Sequence, residues 1–342
     1  SLEEREARAL CKGELERAGL DCTERRFEYS QWPGKWGIPA ESVVQTATIF
    51  IVARTAMHRS PLSALIVGAV LYVALFFASA DAKRRWITAL PFERASSVNL
   101  EAARGNPSVW LVAHLDSKSQ TVPMLIRVAS SIGMTALTLI ATAALLFSLR
   151  DGSDLSSAWR AIEIAAVIVA MPSALCWVRN LSTGAVDNAS GVAAVVLAAQ
   201  SLSSVSDLGV LITSGEELGL AGARVWAAQA RPGIVALNCD TVDDVGGWRM
   251  MYTGAIPARL NAARDAIGSS SVPRPSIGRM IPGIMADSMA FADRGMESVT
   301  LSRGTLSTLA RIHTRGDNSM AFTGSGVAEA SVLLAALTRE LA

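Results

Sequence analysis

Charge is scarce in this sequence. Charged residues make up 18% of 342 positions, against roughly 25% in ordinary soluble chains. The charges nearly cancel, to a net +1, and no Lys/Arg run is interleaved with aromatics, so a nucleic-acid partner is not expected. Cysteine is equally sparse: Cys11, Cys22, Cys176 and Cys239 have neither CxxC nor zinc-finger spacing, which excludes a dense disulfide framework and a thiolate metal knuckle. They read as core or membrane thiols. Histidine occurs three times. The opening segment SLEEREARAL is too charged to read as a signal peptide, and no internal repeat or low-complexity segment is evident. What abounds is apolar: 51% of residues are hydrophobic, more than a soluble core of this size demands.

The informative stretch is TSGEELGLAG, Thr213 to Gly222, where Glu216 and Glu217 follow the apolar run LGVLIT. That run reads as a buried strand ended by Ser214-Gly215. Two adjacent carboxylates repel, so if both face a cleft a cation must hold them or one must take up a proton. By themselves they also fit a solvated pair opening a helix over 218–230, where the macrodipole favours acids. Four more metal-ligand residue types stand at strand ends: His114 in VWLVAHLDS, Asp187 in GAVDNASG, Asp240 in IVALNCD and His313 in RIHTRGD. Singly, each has a plainer reading: Asp187-Asn188 as a helix N-cap, Asp240 as a strand-end cap, His313 as a surface imidazole. Asp243 and Asp244 read as solvated. Strands are expected at 20–29, 97–102, 108–113, 208–213, 234–240, 249–253 and 298–301. Helices are expected at 2–19, 189–202, 218–230, 256–267, 284–294 and 318–341, with a loop around Pro33, Gly34 and Gly37. Such alternation implies an α/β class with a mostly parallel central sheet and helices on both faces.

The ordered set His, Asp, Glu-Glu, Asp, His resembles the zinc aminopeptidase and glutamate carboxypeptidase type of metallopeptidase. The resemblance implies two Zn2+ ions bridged by Asp187, with His114 and Asp240 completing one set and Glu217 and His313 the other. It further implies that Glu216 moves the proton of the attacking water to the leaving amine. Asp116, two residues past His114, is expected to accept the free imidazole N–H and fix the tautomer. Two departures stand out: Val186 where the family commonly has a second acid, and ADSMAF from Ala286 where the segment often reads SDH before its aromatic. Tyr252 is a candidate for the oxyanion contact, and His58 lies outside the set.

Between these motifs run the apolar stretches. Val43 begins VVQTATIFIVARTAM; after a turn, HRSP, Pro61 to Ala80 continues without a charge, and ~20 apolar residues span a bilayer. Arg54 interrupts the first arm near an end from which it can snorkel, and Lys83, Arg84 and Arg85 close the hairpin. Val128–Leu149 is a second uncharged stretch; Ile164–Val178, containing Pro172, is its partner. In soluble relatives only a short loop and helix separate the first His from the next Asp. Motif residues lie before, between and after the hairpins, so each must cross an even number of times. A discontinuous catalytic domain, 1–42, 81–123 and 179–342, is therefore expected to carry two transmembrane hairpins, 43–80 and 124–178, with shallow re-entrant hairpins as the alternative.

These readings converge on a multi-pass, membrane-embedded zinc exopeptidase, an aminopeptidase acting on peptides, with the lipid bilayer as its other partner. The same fold also serves carboxypeptidases and glutaminyl cyclases. A non-enzymatic scaffold or receptor is the reading from another class; such relatives lose ligands, and this chain keeps all five. Arg54, Arg59, Arg150 and Arg160 fall in the far-side loops, whereas Lys35, Lys83, Arg84, Arg85, Lys118, Arg127 and Arg179 flank the spans on the catalytic side. That asymmetry favours a cytoplasmic catalytic domain, while the resemblance, to a family often exported, leaves the other side open.

Overall fold

The computed structural model describes residues 1–81, 85–267, 273–281 and 283–342; Lys83 and Arg84 lie outside the described residues. In chain order, α1 (Leu2–Arg17) and β1 (Asp21–Ser30) precede α2 (Trp32–His58), α3 (Pro61–Asp81) and the single turn α4 (Ile87–Ala89). Next come β2 (Arg94–Arg104), β3 (Val109–His114), the two-residue β4 (Ser119–Gln120), α5 (Met124–Asp151), α6 (Ser156–Ala174) and β5 (Val178–Arg179). The remainder alternates: α7 (Ser190–Ser201), β6 (Leu208–Thr213), α8 (Ala221–Ala227), β7 (Val235–Val242), β8 (Gly247–Tyr252), α9 (Ala258–Ala266), β9 (Ser276–Arg279), α10 (Ser288–Ala292), β10 (Glu297–Gly304), α11 (Leu306–Arg311) and α12 (Ser325–Leu341). The chain divides into two compact units, one of Ser1–Ser30, Glu93–Ser119 and Asn180–Ala342, the other of Gln31–Phe92 and Gln120–Arg179.

The first unit is an α/β layer structure on an eight-stranded sheet, ordered β1-β2-β6-β3-β7-β10-β8-β9. Its centre, β6, β3, β7 and β10, is parallel. The flanks differ from a wholly parallel sheet: β2 runs antiparallel to β1 and β6, and β8 antiparallel to β10. Strands β3 and β6 are buried along their whole length, as parallel strands covered on both faces must be, which is why they read as continuous apolar runs. The pleat then divides them. Leu111, Ala113, Val210 and Ile212 enter one core cluster with Val195, Leu334 and Leu337, while Trp110, Val112 and Leu211 enter the other with Leu220, Ala223 and Phe291. Trp226 stands edge-on between Trp110 (4.8 Å) and Phe291 (5.7 Å). Each fully buried large apolar side chain stabilises the layers by about 1.5–3 kcal/mol. Cys11 and Cys239 are buried and Cys22 is half-buried, all as free thiols.

The second unit contains α2, α3, α5 and α6, of 27, 21, 28 and 19 residues. At ~1.5 Å per residue even the shortest approaches the ~30 Å hydrocarbon thickness of a bilayer, and all four are apolar enough to cross one. The stretch around Pro33, Gly34 and Gly37, expected as a loop, is helical, and the unit opens at Gln31 rather than at residue 43. Pro33 lies in the first turn, where a missing N–H has no intrahelical partner to lose. Packing inside the unit combines small residues such as Ala53, Ala64, Ala166 and Ala170 with larger ones such as Ile49, Met134, Leu145 and Trp159. Phe76, Phe77, Ile132, Leu139 and Ile168 point outward, the reverse of a water-soluble bundle. In the turn before Pro172, the Ser130 hydroxyl donates to the Val169 carbonyl (2.6 Å) and the Ser42 hydroxyl to the Ala170 carbonyl (2.9 Å), tying α6 to α5 and α2. Arg54, expected to snorkel, is instead paired with Glu163.

Candidate metal centre

Strand direction assembles the site. Because β3, β6 and β7 are parallel, their carboxyl ends open on one edge of the sheet, where sites of α/β folds form. His114 pairs in register with Thr213, and the pairing of Val112 with Asn238 carries Asp240 alongside. Beyond Thr213, Gly215 turns the chain at φ +71°, a conformation costly for residues with a Cβ. The Glu216 carbonyl accepts from the N–H groups of Gly219 (2.9 Å) and Leu220 (2.8 Å), so the acids sit in a turn ahead of α8 rather than opening it. Both are buried, Glu216 at 6% and Glu217 at 4% exposure, and the solvated-pair reading fails.

Asp187 does not cap α7, whose N-cap is Ala189; the neighbouring Asn188 side chain accepts from Gly191 N–H (3.1 Å). Fully buried Val186 leaves its N–H to the Asp317 carboxylate (2.7 Å), which also accepts from Asp187 N–H (3.3 Å). His313 follows α11 with φ +60°, a left-handed backbone that a non-glycine residue holds only when its surroundings over-determine it.

The five expected ligands converge in two groups, His114–Asp187–Asp240 and Asp187–Glu217–His313, with donor atoms within 4.8 Å of one another in each. His114 Nε2 lies 3.2 Å from Asp187 Oδ1, 3.5 Å from Asp240 Oδ1 and 4.0 Å from Glu216 Oε2. His313 Nε2 lies 3.0 Å from Asp187 Oδ2 and 3.1 Å from Glu217 Oε2. Asp187 thus offers one oxygen to each group. His114 Nδ1 lies 3.0 Å from the Asp116 carbonyl oxygen, which can only accept, so Nδ1 carries a hydrogen and Nε2 is the ring atom turned toward the carboxylates. Burial opposes protonation of this imidazole, but the charges of Glu216, Asp187 and Asp240 overcome it and hold its pKa well above the usual value. Among the described residues that buried Nε2 finds no hydrogen-bond partner. A divalent cation satisfies such an atom, and imidazole plus carboxylate donors suit zinc.

Asp116 acts differently from expectation. Its carboxylate is 3.8 Å from His114 Nδ1 and accepts instead from the N–H groups of Glu216 and Glu217, both at 3.1 Å. It holds the glutamate turn, and its backbone carbonyl orients the imidazole. Asp243, expected to be solvated, is buried, accepting from Thr308 (2.6 Å) and Arg311 (2.7 Å), whereas Asp244 is partly exposed. Tyr252 packs in the main core cluster. Three residues of the site escaped the sequence reading. Lys118, four residues past His114, reaches Glu217. Asp287, in the ADSMAF segment, is fully buried, accepts from the Thr213 hydroxyl through Oδ2, and has no partner at Oδ1. Asp317 ends the RIHTRGD motif; its signal was the acid itself, whose target lies far away in sequence.

Crowding of acids governs the electrostatics. Burial, reinforced by Glu217, Asp240 and Asp287, holds Glu216 well above the usual carboxylate range. Burial likewise pushes Asp287 up to about 7 and Asp116 to about 6. Burial acts on Asp187 in the same sense, but the two histidines overcome it and hold that carboxyl low. For His313, burial opposes protonation, and the Glu217 charge prevails, raising it to about 9. The site as a whole attracts cations.

Residues 98–338 match the profile of Peptidase family M28. No curated protein sequence matches the chain. Among solved structures, a Zn-dependent exopeptidase from Parabacteroides distasonis is similar at 13% identity and TM-score 0.53, covering 100% of this chain and 90% of that one. Tannerella forsythia glutaminyl cyclase is similar at 12% identity and TM-score 0.52, with coverages of 100% and 90%. The zinc aminopeptidase of Bacillus subtilis matches at 17% identity and TM-score 0.46 over 73% of this chain; the chain spans 51% of that protein's length. The likenesses to the Parabacteroides and Tannerella proteins establish the fold, and the profile match over most of the sequence places the chain in Peptidase family M28.

Proposed function

We propose that the chain is a membrane-embedded zinc exopeptidase, working as an aminopeptidase with two metal ions. The observation that carries this reading is the sharing of Asp187 between two donor groups while Glu216, 4.0 Å from His114 Nε2, is spent on neither. His114 and Asp240 would hold one zinc, Glu217 and His313 the other, with one Asp187 oxygen turned to each. Bound zinc supplies Lewis-acid polarisation of the scissile carbonyl and makes the attacking water acidic near neutral pH. Glu216 takes the proton of that water on its carboxylate and returns it to the leaving amine, so one residue serves as base and then acid. Asp116 keeps Glu216 and Glu217 in their turn through the two backbone N–H groups. Burial of Glu216 keeps bulk water from competing for the proton.

The second unit is read as the membrane anchor, with its large apolar side chains in lipid. Seven basic residues flank the spans on the catalytic side against four beyond them. We place the catalytic unit in the cytoplasm on that ground. The test is elemental analysis of detergent-purified protein beside hydrolysis of aminoacyl-4-nitroanilides. Two zincs with cleavage support an aminopeptidase. Two zincs with cyclisation of N-terminal glutamine or release of C-terminal residues replace that activity by a sister one, and absence of metal overturns the enzyme reading.

A further inference from the structure

One cation is already built into the centre. The Lys118 ammonium lies 2.9 Å from Glu217 Oε2 and donates to the Glu217 carbonyl at 2.7 Å, while the Lys118 backbone N–H donates to Glu217 Oε1 at 3.1 Å. Oε2 is the same oxygen that faces His313 Nε2 at 3.1 Å. The carboxylate that completes one metal group is therefore shared with a fixed positive charge, whose side chain is only 15% exposed. Little solvent is available to screen it. The other group differs. Among the described residues no Lys or Arg forms an ion pair with Asp187 or Asp240, and the further partner of Asp240 Oδ1 is the neutral Thr241 hydroxyl at 3.1 Å.

We infer that Lys118 makes the two metal positions unequal: it is a positioning residue that lowers the cation affinity of Asp187–Glu217–His313 below that of His114–Asp187–Asp240. An ammonium has three donors and no lone pair, so it competes with a metal for Glu217 and repels it as well. The first ion then binds tightly through His114 and Asp240. The second enters a site where Glu217 must serve two cations, and it exchanges with the surrounding zinc supply. This inference rests on the two-metal reading above.

The experiment is a zinc titration of the metal-stripped, full-length chain in detergent against a chromophoric chelator, which reads binding without reference to activity. The native chain is expected to bind two equivalents in separate steps. Lys118→Gln, which keeps a hydrogen-bond donor and removes the charge, should tighten the weaker step by about 10-fold or more, the scale of removing a like charge a few ångströms from the ion, and leave the tighter step in place. Lys118→Arg, retaining the charge, should titrate like the native chain. Lys118→Met separates the causes further: it tightens the weaker step if charge is responsible and loosens it if Lys118 merely supports Glu217. Equal steps in the native chain, or a weaker step unmoved or loosened in Lys118→Gln, overturn the inference while leaving a two-metal enzyme intact. No zinc bound by any form overturns the two-metal reading itself.

Discussion

Arg54 on α2 and Glu163 on α6 form a two-point salt bridge, Nε to Oε1 at 2.7 Å and Nη2 to Oε2 at 3.1 Å. The partners are unequal, since the Glu163 side chain is 7% exposed and that of Arg54 59%. Removing the arginine strands a buried carboxylate, whereas removing the glutamate leaves a long side chain free to reach water. Arg54→Ala should thus destabilise the second unit by about 3 kcal/mol, Glu163→Ala by distinctly less, and the double variant should resemble Glu163→Ala. Thermal unfolding in detergent reads the order; equal losses in the two single variants would show that burial of Glu163 is not the cause.

Glu216→Gln keeps the size of the side chain and removes its ability to accept a proton. Release of 4-nitroaniline should fall by at least about 100-fold, the lower end of the general-base contribution, with zinc content unchanged. Turnover within a few-fold of the native enzyme would sink the proton-transfer role.

Asp116→Asn discriminates two roles for one residue. The contact to His114 runs through the backbone carbonyl and survives the change, while an amide cannot accept from both Glu216 and Glu217 as the carboxylate does. An N–H left without its acceptor costs about 1–3 kcal/mol. The expected outcome is lower kcat with zinc retained at full stoichiometry. Loss of zinc from the His114 group would mean that the carboxylate tunes the imidazole after all.

Asp244 ties the start of α12 to the sheet. It accepts from Ser325 Oγ (3.0 Å), Gly326 N–H (2.9 Å) and Thr323 Oγ1 (2.9 Å), and from Thr323 N–H. Burial acts to raise its pKa, but these donors overcome it and hold the carboxyl well below the usual range. A depressed carboxyl contributes stability that is present above its unfolded value near ~4 and is lost as pH falls through the lower folded value. Asp244→Ala should lower stability at pH 7 by about 1 kcal/mol and weaken its acid dependence below pH 4. Parallel stability–pH curves for the two proteins would refute the role.

Local pattern was enough for much of this protein. LGVLIT and SVWLVA are continuous apolar runs because both faces of a central parallel strand are covered, and His114 and Asp240 stand toward the carboxyl ends of β3 and β7 because that is where a strand meets the cleft, whereas Asp187, expected at a strand end, precedes α7, and His313, expected likewise, follows α11. The long uncharged runs were equally legible, since ~20 apolar residues in a row have few other uses. Boundaries were less so. Trp32–Val43 carries two prolines and two glycines and reads as a loop, yet it is helical throughout.

What the sequence by itself determined is the class of elements, the family resemblance and which residue types stand ready to bind metal, because periodicity and residue chemistry are local properties. Only the tertiary structure decided what each of them faces. Asp116 stands two residues past His114, but its carboxylate serves the glutamate turn a hundred positions away. Asp317 reaches back to Asp187, and Lys118 to Glu217. Those pairings depend on strand register and on the closing of long loops, and a hydrogen bond between distant residues leaves no periodic trace in the chain that makes it.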